Sequence, residues 1–396
     1  MGMKSETLIK PNVAPRSRGR AGEDKVPEVD ALVRLRVCHL IGCLQYGGAE
    51  RQVVNLLNEL PFRSRFVLEI GRPTPEGLHQ LLDAGVIRAS MRVRMRRLPL
   101  DLVRLARLLR GWHIDILHTH MYSANLIGAL AGRLAGVPVV VTSEHGKNHW
   151  KRAHHHWVER RVISPLVDLR FCASEDIRQL RQEVDGVPGE KLVYMPNGTT
   201  LPSLERREAN PVPVLGCVGR LIKAKDYGTL IEAVAMLRSA GIDCRLEIVG
   251  DGPERGMIEG VVAEYGLQPR VNLVGFQSDI SRWLRRFDLF VMPSIREGQP
   301  LALLEAMAHG LPIVATRVGG IPLTVEPGVE AELVEPGNPG QLAHALRLLL
   351  EDRGRMATLG ESARRRVEKE FSIQAVSARY ARTYCRLWER KHGPES

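Results

Sequence analysis

The chain has 396 residues, 44% of them apolar, with 37 glycines and 24 prolines, a length that exceeds one ordinary core and calls for two domains. Its net charge is +11, and the excess is one-sided: residues 1–200 carry 30 Lys and Arg against 20 Asp and Glu, residues 201–396 carry 26 against 25. Six scattered cysteines without C-x-x-C or Cys/His ligand spacing argue against a disulfide or zinc framework, and no run of about 18 apolar residues is present to span a bilayer.

Residues 1–34 are polar and basic, lack the apolar core of a signal peptide and read as a disordered tail. That places the protein in the cytoplasm, with its basic half free to meet an anionic membrane surface. A first strand is expected over Arg36–Gly42, then the loop G-C-L-Q-Y-G-G-A-E and a helix over Arg51–Leu60. A glycine pair, Gly47-Gly48, between strand and helix lets backbone approach a ligand closely, or else makes a plain tight turn. Strands over Arg65–Ile70, Ile114–His118, Pro138–Thr142, Val167–Ala173 and Leu192–Met195 alternate with helices over Pro99–Arg110 and Ser123–Ala135. Such alternation argues for a parallel sheet covered on both faces.

Two basic stretches interrupt the pattern. Arg88–Arg110 holds eight arginines against Asp101, with Leu98, Leu102, Leu105 and Leu109 near one helical face. His149–Arg161 carries two tryptophans seven apart among basic residues, which suits a membrane interface or a solvated face. Its consecutive histidines splay around a helix and cannot converge on one metal. His118, His120 and His145 stand at the carboxyl ends of expected strands. His145, followed by glycine, can hydrogen-bond a sugar hydroxyl or a phosphate; His118 and His120 read as structural.

Periodicity lapses over 201–211, the expected linker, and restarts with a strand at Val212–Val218. The loop G-R-L-I-K-A-K-D then brings Arg220 and Lys225 to a strand end, where two cations offset a diphosphate. Further strands are expected over Cys244–Val249, Val271–Val274, Asp288–Met292 and Ile313–Thr316. Between the last two lies P-S-I-R-E-G-Q-P-L-A-L-L-E, with Pro300 opening a helix that Gly310 and Pro312 stop. Glu297 is on the loop and Glu305 on the helix. Two carboxylates that accept sugar hydroxyls flank the free amides of a helix N-terminus, an anion site. Two glutamates eight apart decide little alone. Residues 372–396 are read as a helix that returns to the first domain.

The ordered set G-G-A-E (47–50), S-E-H-G (143–146), P-N-G (196–198), G-R-L-x-x-x-K (219–225), V-G-D-G-P (249–253), V-G-F (274–276) and E-x7-E (297–305) resembles glycosyltransferase family four. The resemblance covers roughly residues 36–370. It implies the GT-B fold: two Rossmann-like, doubly wound α/β domains, 35–200 on the acceptor side and 212–371 holding the donor, facing across a cleft. It further implies a retaining transferase moving a hexose or N-acetylhexosamine from a UDP- or GDP-sugar to a glycan, polyprenyl-linked or other acceptor. Carried over by position, Glu297 bonds hydroxyls of the transferred sugar and Glu305 the ribose. Arg220 and Lys225 hold the diphosphate, helped by amides of Gln299, Leu301 and the Gly47-Gly48 loop in the Gly298-Gln299-Pro300 neighbourhood. His145 reaches the sugar, and Gly275-Phe276 borders the base. Where the family often has P-N-G-V-D, this chain has P-N-G-T-T. No D-x-D pair occurs, so the expectation is no metal and no cofactor. Rival readings are a GT-B sugar-nucleotide epimerase, a phosphorylase, a catalytically silent sugar-nucleotide-binding subunit and a nucleic-acid-binding protein. The last conflicts with 5% aromatic content and no helix-turn-helix signal.

Overall fold

The computed structural model describes residues 34–72, 77–146, 150–204 and 210–393. The expected N-terminal tail, part of the linker and the first residue of the His149–Arg161 stretch therefore lie outside the described residues.

Thirteen strands among the described residues form two parallel sheets. In the first, β1 (Arg36–Ile41), β2 (Ser64–Glu69), β3 (Val86–Ser90), β4 (Ile116–His120), β5 (Val139–Glu144), β6 (Leu169–Cys172) and β7 (Leu192–Tyr194) are ordered β3-β2-β1-β4-β5-β6-β7. In the second, β8 (Val214–Val218), β9 (Arg245–Val249), β10 (Val271–Gly275), β11 (Leu289–Met292), β12 (Ile313–Thr316) and β13 (Glu332–Val334) are ordered β10-β9-β8-β11-β12-β13. Strands such as V-V-V-T-S-E and L-F-V-M are buried along their whole length, as parallel strands covered by helices on both faces must be. The strand order reverses between β1 and β4 and again between β8 and β11. A ligand crevice opens at such switch points, outside the carboxyl ends of the strands.

The last helix, Ile373–His392, crosses back to the first sheet. Val376, Tyr380, Tyr384 and Leu387 pack with Val37, Ile116, Val141 and Phe171. Tyr384 Oη lies 2.6 Å from His118 Nδ1, and Lys391 reaches Asp168 at 2.6 Å. Beside this crossing Thr199 N donates to the Phe371 carbonyl at 2.9 Å, and Ile373 N donates to the Thr199 carbonyl at 2.8 Å. Thr199, where the family often has valine before an acid, is thus a backbone rung between the two chain crossings. Among the described residues no helix is long and apolar enough to cross a membrane.

Three differences from the sequence reading concern strands and one basic stretch. Strand β3 occupies the start of the basic segment, and β13 follows β12. Strand β4 begins and ends two residues later than expected, so His118 is interior to it. The stretch after Trp150 is no uniformly solvated face. Lys151 and Glu159 are buried with Glu144 and Arg170 in a charge network: Lys151 Nζ stands 2.7 Å from Glu159, and Arg170 2.8 Å from the same carboxylate.

Candidate active site

Strand β11 delivers the chain into the loop Pro293–Pro300. Thr316 on β12 donates to the Ser294 carbonyl at 2.5 Å, and Ser294 Oγ donates to Glu297 Oε1 at 2.7 Å. Ile295 N bonds the Ala224 carbonyl at 2.9 Å, joining this loop to the turn that carries Lys225. The result is an ion pair, Lys225 Nζ to Glu297 Oε1 at 2.5 Å. Arg220 is exposed, with no ion-pair partner among the described residues. The helix runs Leu301–Ala308, with extended Pro300 as its N-cap (φ −75°, ψ 125°). Pro300 therefore precedes the helix instead of opening it, and the N–H groups of Leu301 and Ala302 are the first without intrahelical acceptors. Glu305 follows one turn later. Burial pushes its pKa up to about 7, against the opposing pull of Arg51.

Glycine seats this loop. Gly319 has φ +54°, and a Cβ there would stand 1.9 Å from the Glu297 carbonyl oxygen, which no side chain permits. Its neighbour Gly320 donates its N–H to the Gly298 carbonyl at 2.8 Å. The R-V-G-G-I-P loop is thus the floor on which Glu297 rests.

The first domain supplies the opposite wall. Gly47 caps the helix Gly48–Glu59, whose first turn carries Glu50 and Arg51. His145 follows β5, and Asn197 follows β7. Contacts cross from one domain to the other. Arg51 donates to the Ser278 carbonyl at 3.1 Å, and the rings of Tyr46 and Phe276 meet at 4.6 Å. Asn197 N donates to Gln299 Oε1 at 2.6 Å, and Asn197 Nδ2 to the Gln299 carbonyl at 2.9 Å.

Together these residues enclose a cavity of about 790 Å³ between the domains. Gly47, Gly48, His145, Arg220, Lys225, Phe276, Glu297, Gly298, Gln299, Pro300, Leu301 and Glu305 all line it. Gly275 does not: with φ +84° it turns the chain, and its carbonyl accepts from Gly250 N at 2.9 Å, which sets Phe276 in place. The Gln299 side chain is committed to Asn197 and to Thr324, leaving only its backbone to face a ligand. Glu50 and Asn197, of the G-G-A-E and P-N-G motifs, also line the cavity, as do Tyr46, Arg51 and Ser278, which were not singled out by spacing or charge.

The cations Arg51, Arg220 and Lys225, the carboxylates Glu50, Asp251, Glu297 and Glu305 and the amides of Leu301 and Ala302 converge on the cavity, a lining that can hold an anion beside polyhydroxylated groups. The family model described as Glycosyltransferase Family 4 matches residues 46–201, and that described as Glycosyl transferases group 1 matches residues 212–352. The chain belongs to glycosyltransferase family four. The putative glycosyltransferase EpsF of Bacillus subtilis is 29% identical over 70% of this chain and 78% of its own. The UDP-Gal:alpha-D-GlcNAc-diphosphoundecaprenol alpha-1,3-galactosyltransferase of Escherichia coli is 28% identical over 69% of this chain and 76% of its own. Among solved structures, Anabaena HepE in complex with UDP-glucose superposes with a TM-score of 0.77 at 21% identity, over 89% of this glycosyltransferase and all of that chain. Sucrose-phosphate synthase from Thermosynechococcus elongatus gives 0.72 at 23% identity, over 90% and 100%. These likenesses establish the GT-B architecture for this family-four enzyme, whose relatives include enzymes of polysaccharide biosynthesis.

Proposed function

We propose that this glycosyltransferase moves a hexose or N-acetylhexosamine, with retention and without a metal, from a nucleotide sugar to a polyprenyl-diphosphate-linked or related glycan acceptor. The observation that carries the reading is the Lys225–Glu297 ion pair beside the unpaired Arg220 and the open amides of Leu301 and Ala302. Breaking the anomeric bond leaves positive charge on the sugar and negative charge on the diphosphate. Preorganised cations and helix amides aimed at the leaving group stabilise that separation. Glu297 accepts sugar hydroxyls, Glu305 the ribose, and Phe276 borders the base.

Retention accords with attack on the face that the diphosphate leaves, its oxygen taking the acceptor's proton. Metal independence is supported by the two cations Lys225 and Arg220 on the cavity wall, whose charge can offset a diphosphate as a bound metal would. A UDP donor is favoured by the complexes of HepE with UDP and UDP-glucose, and a lipid-linked acceptor by the E. coli relative's name. The basic surface of the first domain suits such an acceptor. Met95, Leu100, Trp150 and Trp157 are exposed there, among the exposed Arg92, Arg94, Arg96, Arg97, Arg104 and Arg107, a combination that binds anionic interfaces.

The test is thermal stabilisation by a panel of UDP- and GDP-sugars with and without EDTA, since a ligand of the native state raises Tm by mass action. A shift with one nucleotide series, indifferent to EDTA, is the expected result. No shift with any of them overturns the donor reading.

A further inference from the structure

The wall of the cleft that begins at Phe276 is a loop, 276–280, without helix or strand. Phe276, Gln277, Ser278 and Ile280 all line the cavity. Gly275, bonded through its carbonyl to Gly250 N, fixes the start of the loop, and Arg51 reaches its middle at the Ser278 carbonyl. The far end runs into the short helix Ser281–Leu284. There Ser281 Oγ stands 2.8 Å from Nε2 of His309, a buried residue at the end of the helix that carries Glu305. We infer that His309 is a positioning residue for the donor: through Ser281 it sets the loop 276–280 against the Glu305 carboxylate, and with it the fit of a nucleoside between the two.

The bonds have a definite sense. His309 Nδ1 lies 2.7 Å from the Glu305 carbonyl oxygen. A carbonyl can only accept, so Nδ1 holds the proton and Nε2 of the neutral ring is an acceptor. Arg285 Nη1 donates to Ser281 Oγ at 2.9 Å, which leaves the hydroxyl proton of Ser281 for His309 Nε2. Glu305 and His309 are one helical turn apart, so the carbonyl that orients the ring belongs to the residue whose carboxylate lines the cavity.

Apolar packing joins the same two segments. Leu284 is buried in one cluster with Leu303, Leu304 and Met307, and Ile280 and Trp283 pack against it. Such packing is non-directional, whereas the Ser281–His309 bond has a preferred length and angle. Ser281 N also donates to Asp279 Oδ1 at 3.0 Å, so a shift of Ser281 carries the end of the loop with it. His309 therefore sets the register of the loop on the helix.

The inference rests on the donor reading above, and its test separates the two. Calorimetric affinities for UDP and GDP are measured, together with that for inorganic pyrophosphate, which has neither base nor ribose, by displacement of the nucleotide. Expected for His309→Leu and for Ser281→Ala is a loss of roughly 3- to 10-fold in affinity for the nucleotide that the wild type binds, with pyrophosphate unchanged. The double variant should lose no more than either single one, and Ser281→Thr, which keeps the hydroxyl, should bind as the wild type does. Unchanged nucleotide affinity in the single variants, additive losses in the double variant, or a parallel loss of pyrophosphate affinity each overturns the inference and leaves the donor reading standing. A wild type that binds neither UDP nor GDP overturns both.

Discussion

Glu305 sits one turn into the helix Leu301–Ala308, and its carboxyl titrates near pH 7 because burial desolvates it. In the proposed donor site only the ionised form would accept two ribose hydroxyls. Donor affinity should therefore fall as pH drops below about 7, approaching tenfold per unit, and Glu305→Gln should bind more weakly at pH 8 with little pH dependence left. Calorimetric Kd values between pH 6 and 8.5 check this. The same shift acts on folding with a definite sign. The folded state keeps a proton that the unfolded chain releases above its model value of 4.5, so this contribution to stability is lost as pH rises from there to about 7. Glu305→Gln should then raise the stability of the empty protein at pH 8 by about 1–3 kcal/mol, seen as a higher Tm. Lys225 answers a different need. Lys225→Ala removes the leaving-group cation and strands Glu297, and should lower kcat by about 10²-fold or more in a donor-hydrolysis or transfer assay.

At the scale of elements, the loop Pro293–Pro300 is held by backbone contacts from Ala224 and Gly320 and by the side chains of Thr316 and Asn197, and its floor tolerates no side chain. Gly319→Ala should lower Tm by several degrees, because φ is positive and the Glu297 carbonyl already fills the space; a melting curve decides it. The buried charges behind His145 make a second such support. Lys151→Met removes a buried cation from between Glu144 and Glu159 and should cost about 3–5 kcal/mol, measured by denaturant unfolding. Elements with a plain signature were legible in the sequence: fully buried strands such as β5 and β11 read as apolar runs bounded by turns. Strand β3 escaped because it is an exposed edge, with only Val86 buried, and β13 because three residues carry no period. In the site, Arg220, Lys225, Glu297 and Glu305 were legible because each falls within a compact motif. Asn197 falls within the P-N-G motif, but its pairing with Gln299 was not legible, nor was that of Arg51 with Ser278, since these partners lie 102 and 227 residues away, where no local spacing can point.

Over the whole molecule, the charge asymmetry acquires a place. The exposed arginines and the Met95, Leu100, Trp150 and Trp157 side chains belong to the half opposite the donor loops. Sedimentation with vesicles containing anionic lipid should retain the protein at low salt and release it as salt rises. Trp150→Ala with Trp157→Ala should weaken retention while leaving donor-induced stabilisation unchanged. Neutral vesicles that bind equally well would contradict this assignment of the face.

The chain passes between the domains twice, and the two passages run side by side, laced through Thr199, Phe371 and Ile373. A body tethered at one point can swivel freely; one tethered along a short line swings like a door, about that line alone. Opening of the cleft should then follow a single coordinate, one that parts the Tyr46 and Phe276 rings, 4.6 Å apart across it. One pair of distance probes across those rings would read the entire motion.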